Sequence, residues 1–182
     1  MKYGPIFVKD KEGCLIELRH ADESDAAAML EYLTVTAGET PYLIREPQEI
    51  TLTLEQEKAF LRAKADSERE LMLSAFMDGK YVGNCSLMRI GSYKRYAHRC
   101  DVAIALYQKY CGRGIGKQML ETVLKEAERA GYEQAELEVM SSNKSAIALY
   151  EKLGFKRYGL FPNNMKYSDG SCDDAFWMMK RL

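Results

Sequence analysis

Glycines stand at alternate positions in CGRGIGK, at Gly112, Gly114 and Gly116, with Arg113 and Lys117 among them and an amphipathic stretch directly behind. Glycine has no Cβ, so the chain can fold until successive N–H groups face one concavity, and the free donors and positive end of a following helix add to it. A phosphate group fits such a concavity. Two nucleotide-binding patterns are excluded by spacing. G-x-x-x-x-G-K-[ST] would need glycine where Cys111 stands and a hydroxyl where Gln118 stands. G-x-G-x-x-G counted from Gly112 puts its third glycine on Lys117, and no strand–helix–strand unit opens the chain. A glycine-rich turn that only starts a helix stays open at this point. Arg113 and Lys117 can add charge or be solvated.

The elements that must position this loop follow from periodicity. CLIELRHA, residues 14–21, reads as a strand, and Asp22 or Ser24 can cap a helix through Ala26, Met29, Leu30 and Leu33. Residues 34–52 carry two prolines and no sustained period, which predicts a long irregular connection. Thr53 can cap a short surface helix over 53–65 that carries Leu54, Phe60 and Leu61. Asp78-Gly79 between two apolar runs predicts a hairpin over 70–91, and residues 98–106 a third strand leading into the glycine loop. From Gly114 the residues Ile115, Met119, Val123 and Ala127 recur every fourth position, with Leu120 and Leu124 beside them, a helical stripe ending near Gly131. AELEVM reads as a strand, and Asn143 caps a helix that Gly154 ends. FKRYGL and CDDAFWMMKRL supply two more strands joined by a polar turn, PNNMKYSDGS, and the unbroken apolar run Phe176 to Met179 suggests a strand buried on both faces. The expected fold is a mixed α/β domain of the α+β type, 1–182 as one unit, with about six to seven mostly antiparallel strands and about four helices.

Composition limits the partners. The 182-residue chain is 47% hydrophobic, enough for a substantial core. Its 26 basic and 27 acidic side chains nearly cancel, so no sequence-wide field draws nucleic acid or an anionic membrane, and an anion site must be local. Cys14, Cys85, Cys100, Cys111 and Cys172 are widely spaced with no C-x-x-C pair, and His20 and His98 have no partners at metal spacing, so no metal is expected. No signal-like or membrane-spanning run is present, which makes a cytoplasmic location the expectation.

CGRGIG at the head of an amphipathic helix resembles motif A of the GNAT superfamily of N-acetyltransferases, [QR]-x-x-G-x-[GA], with Gly114 and Gly116 on its glycines. ELEVMSSNKSAIALYEKLGF is similar to the superfamily's second signature through Asn143, Ala146, Ala148, Tyr150, Gly154 and Phe155. The order and separation of the two motifs also match. The resemblance implies that the amides of Cys111, Gly112, Arg113, Gly114, Ile115, Gly116 and Lys117 hold the pyrophosphate of acetyl-CoA. It further implies that pantetheine pairs with the backbone of Ile104, Ala105 and Leu106, and that Asn143 both caps its helix and touches the pantetheine arm. Cys111 departs from the family's Gln or Arg, so the loop would act mainly through its amides.

Acetyl transfer from a thioester to an amine needs a neutral amine, a stabilised oxyanion and a proton for the departing thiolate. A lysine-like amine is uncharged in only about one molecule in a few thousand at pH 7, so proton removal at the site matters. The resemblance makes Tyr150 the general acid; from the residues alone it reads first as a core tyrosine. Asp101, on the strand before motif A, and Glu138, on the next strand, compete as general base, with water as the third alternative. Each carboxylate otherwise reads as a salt-bridged or solvated strand residue.

Glu39, Tyr42, Glu46, Glu49, Asn163, Lys166 and Tyr167 lie in the parts that shape the family's acceptor pocket. Acidic and aromatic residues there suit a cationic amine. A small-molecule amine or amino acid is the first expectation, and a protein N-terminus the alternative. A catalytically silent acyl-CoA sensor and a nucleotide-binding protein are the competing classes, and a homodimer is left open.

Overall fold

The computed structural model describes all 182 residues. Eight strands form one sheet in the order β1-β2-β3-β4-β5-β6-β8-β7. Strands β1 (Ile6–Lys9), β2 (Leu15–His20), β3 (Leu71–Met77), β4 (Lys80–Arg89) and β5 (Arg99–Leu106) run as an antiparallel meander. Strand β6 (Gln134–Met140) lies parallel to β5, and β8 (Cys172–Arg181) is antiparallel to both β6 and β7 (Lys156–Lys166). The sheet is thus mixed and mostly antiparallel, with β1 beyond the expected strands.

Helix α3 (Ile115–Arg129) buries the predicted stripe: Ile115, Met119, Leu120, Val123, Leu124 and Ala127 are at most 5% exposed. Burying each of the larger side chains is worth roughly 1.5–3 kcal/mol. With α4 (Lys144–Lys152), this stripe packs on the sheet face that carries Leu71, Leu73, Cys85, Cys100 and Val102. Helices α1 (Ala26–Glu39) and α2 (Leu54–Asp66) take the other face, where Met29, Tyr32 and Leu61 meet Met72, Phe76 and Tyr81.

Three sequence expectations need correction. Helix α1 continues to Glu39, so the irregular connection starts at Thr40; the prolines that suggested a longer loop stand at 41 and 47, beyond the helix. The link between the last two strands is short, because β7 runs on through PNNMK, with a register shift between Phe161 and Met165, and only 167–171 lie between the strands. Strand β8 is not buried on both faces. Met178 is fully buried, but Trp177 beside it is 37% exposed, since α1 and α2 lie over β3 and β4 and leave this face of β6 and β8 open.

Candidate active site

The parallel ladder between β5 and β6 covers only Arg99↔Gln134, Cys100↔Ala135 and Asp101↔Glu136. Beyond Asp101 the strands part, while β5 stays paired to β4 as far as Leu106. Tyr107 N–H donates to Val82 C=O at 3.1 Å. The two-residue strand period therefore turns Ala105 and Ala103 toward β4, and the N–H and C=O of Ile104 and Leu106 toward the gap. Ala105 is fixed differently: its carbonyl accepts from Tyr32 Oη at 2.8 Å, which ties α1 to the strand.

At the end of β5 a short 3₁₀ turn (Gln108–Tyr110) leads into the glycine loop. Gly112 and Gly114 take φ of +78° and +85°, a region that side chains with a Cβ rarely adopt, and Gly114 is the N-cap of α3. The amides of residues 112–117 donate to no acceptor within the protein. They form the concavity of donors that the glycine spacing implies. Gly116 explains itself by proximity, since a Cβ there would sit 3.4 Å from Ile104 Cδ1 and 3.7 Å from Leu106 Cδ1. The loop thereby closes directly over the gap strand.

The charged side chains of the loop are engaged elsewhere. Arg113 pairs with Asp10 (2.6 Å) and Glu12 (3.0 Å), and Lys117 with Glu121 (2.9 Å) one helical turn on. Cys111 is exposed. What the loop offers an anion is main-chain N–H and the end of a helix.

Asp101, Glu136 and Glu138 share one face, the first two as register partners and the third two residues further along β6. Their settings differ. Arg99 holds Glu136 through two N–H groups, the Nη2 contact at 2.6 Å, and this lowers the Glu136 pKa. Glu138 is exposed and accepts from Trp177 Nε1 and Asn164 Nδ2, both at 2.8 Å. Asp101 has neither cation nor donor. Burial first, and then the charges of Glu136 and Glu138, push its pKa up to about 6.

Tyr150, on α4, is 7% exposed and lies edge-on to Phe155. Burial, and then the nearby Cys85 and Asp101, drive its pKa well above the ordinary tyrosine value, so the phenol keeps its proton at neutral pH. Asn143 caps α4 by accepting from Ala146 N–H at 3.2 Å. The fold thus gathers Asp101, Tyr150, the gap edge of β5 and the loop amides around one fork, with Glu138 on the open face beside it.

Several contributors had no motif. Tyr32 is tied to Ala105, and its ring packs against Tyr81 and Tyr107 at 5.2 and 5.3 Å. Gly83 lets β4 approach, for a Cβ there would lie 2.5 Å from Ala105 O. Trp177 and Asn164 hold Glu138 from strands distant in sequence. Only the i, i+3 step from Met29 to Tyr32 offered any signal, and it indicated burial alone.

Residues 19–155 match the family model described as Acetyltransferase (GNAT) family. A GNAT-family acetyltransferase structure from Streptococcus pneumoniae superposes with a TM-score of 0.88 at 28% identity, covering 92% of this chain and 99% of that one. The N-alpha-acetyltransferase of Sulfurisphaera tokodaii is 29% identical over 97% of this chain and 99% of its own length. The [ribosomal protein bS18]-alanine N-acetyltransferase of Escherichia coli K12 is 40% identical over 41% of this chain and 50% of its own. The chain spans only 26% to 50% of the first curated relatives it matches.

Proposed function

Because the chain belongs to the acetyltransferase (GNAT) family, we propose that it transfers the acetyl group of acetyl-CoA to a primary amine. The observation that carries this reading is the fork: β5 leaves β6 at Asp101, and the free amides of 112–117 close one end of the gap. That concavity of donors fits the pyrophosphate of CoA, and the outward N–H and C=O of Ile104 and Leu106 fit the amide groups of the pantetheine arm. The chemistry the bound cofactor supplies is an acyl thioester that a neutral amine can attack.

Asp101 is the general base in this account. A carboxylate with a pKa near 6 takes a proton more readily than one near 4 and is still ionised at neutral pH. Glu138, with donors on both oxygens, orients the acceptor side instead. Tyr150 supplies the proton for the departing sulfur. Tyr32, through Ala105, and Gly83 keep β5 in place.

A small cationic amine or amino acid is the first reading of the acceptor, since Asp101 and Glu138 remain without cationic partners beside the Arg99–Glu136 pair. A protein N-terminus is the second. It is favoured by the open face where Tyr158, Phe161 and Trp177 are exposed, and by the full-length similarity to a relative named an N-alpha-acetyltransferase. Acetyl-CoA-dependent thiol release over a panel of small amines, amino acids and short peptides tests both readings. Release that never exceeds background hydrolysis would contradict catalysis and favour an acyl-CoA sensor.

A further inference from the structure

The turn between β1 and β2 reaches across the fold to the glycine loop. Asp10 and Arg113 are 103 residues apart, yet Arg113 Nε donates to Asp10 Oδ2 at 2.7 Å and Nη2 lies 2.6 Å from the same oxygen. The Asp10 side chain is fully hidden from solvent. Its other oxygen accepts from Glu12 N–H (3.0 Å) and Cys14 N–H (2.8 Å), which shapes the turn itself. Burial alone would raise the Asp10 pKa, but these amides and Arg113 outweigh it and hold the carboxyl below its ordinary value. Glu12 and Cys14 also bring ligand atoms within 4.8 Å of Asp10, but with Arg113 already among the carboxylates this cluster serves as a latch.

Lys11 adds two bonds. Its N–H donates to Arg113 C=O at 2.9 Å and its Nζ to Gly112 C=O at 3.1 Å. Its stem also lies 3.3 Å from where a Gly114 Cβ would stand, and Gln118 Nε2 reaches back to Lys9 C=O at 3.0 Å. The targets of Lys11 matter most. In a trans peptide the C=O of one residue and the N–H of the next point in opposite directions. Drawing the carbonyls of Gly112 and Arg113 toward the turn therefore drives the amides of Arg113 and Gly114 the other way, into the concavity.

A loop with glycine at alternate positions has unusual freedom, and its parallel N–H dipoles repel one another. Left to itself it would lose conformational entropy whenever it bound an anion. We propose that the β1–β2 turn is a clamp that pre-organises the glycine loop, with Asp10 and Lys11 as positioning residues and Arg113 as the strut between turn and loop. This rests on the reading of the loop as the CoA pyrophosphate site. The clamp supplies from another part of the chain the bracing that Cys111, in place of Gln or Arg, does not.

The test is calorimetric titration of the full-length wild type, Asp10→Asn, Arg113→Gln and the double variant with CoA, beside steady-state kinetics. Asparagine can still accept from Glu12 and Cys14 but loses the ion pair. Asp10→Asn is expected to weaken CoA binding about tenfold and raise the KM for acetyl-CoA in parallel, with kcat at saturation within about twofold. Adding Arg113→Gln is expected to cost little more, because the two act as one unit. Wild-type affinity in Asp10→Asn, a loss confined to kcat, or fully additive losses would overturn the clamp. Should Asp10→Asn melt below the assay temperature, Lys11→Ala leaves the ion pair intact and is expected to weaken CoA about threefold, and unchanged affinity there overturns it too. A wild type that binds no CoA would instead remove the reading of the loop.

Discussion

On one side of the fork the protein presents main chain, the amides of 112–117 and the free edge of β5; on the other it presents side chains, Asp101, Glu136, Glu138 and Trp177. The main-chain side requires glycine at fixed spacing and tolerates variety elsewhere, so it leaves a local motif. The side-chain side is drawn from β5, β6, β7 and β8, and each residue type there has an ordinary structural use. Under the proposed reading, a cofactor site made of backbone leaves a signature in the sequence, while an acceptor site made of side chains does not.

Tyr150 stands at the seam, and its removal should separate the two sides most sharply. Tyr150→Phe keeps the ring against Phe155 but loses the proton, so kcat is expected to fall about a hundredfold while CoA affinity by calorimetry stays at the wild-type value. Near-normal turnover would return Tyr150 to a packing role.

Asp101→Asn comes next. The rate should rise with pH through about 6 as Asp101 ionises and then level off; the variant should lose that limb and about tenfold in kcat/KM at pH 7.5. Stability should move the other way. With a folded pKa of about 6 against an ordinary 3.8, Asp101 binds its proton more tightly in the folded chain. Its contribution is thus fully present below about pH 4 and lost as pH rises through 6. Asparagine escapes that loss, so urea unfolding at pH 7.5 should show the variant more stable by on the order of 1–3 kcal/mol. A variant that keeps the acid limb would leave Glu138 or water as the base.

Glu138→Gln should raise the acceptor KM about threefold, because Trp177 and Asn164 already engage both oxygens, and should keep the acid limb but shift it to lower pH, because the Glu138 charge helps raise Asp101. The smallest effect belongs to Lys117→Ala. Its ammonium is half exposed and paired with Glu121, so CoA affinity should change less than about twofold. A large loss would mean that the loop works through charge rather than amides.

The same contrast explains how far the sequence could be read. Helix α3, the 78–79 hairpin and the Asn143 cap were legible because each rests on local periodicity or turn chemistry. The fork was not, since the parting of β5 from β6 is a tertiary event with no local signature. Strand β1 is short and three of its four residues are exposed, which leaves little pattern to see. The partners of Glu138 and Arg113 lie 26 to 103 residues away, beyond any spacing argument. Those long-range bonds also fix the carboxylate and the glycine loop in place.

The account stands most directly on what the loop and the fork bind. Titrating the wild-type chain with acetyl-CoA, and separately with ATP, measures this by calorimetry. Saturable binding of acetyl-CoA at one site per chain, with no comparable ATP signal, is the predicted result. ATP binding without acetyl-CoA binding would contradict it and restore the nucleotide reading that the glycine spacing argues against.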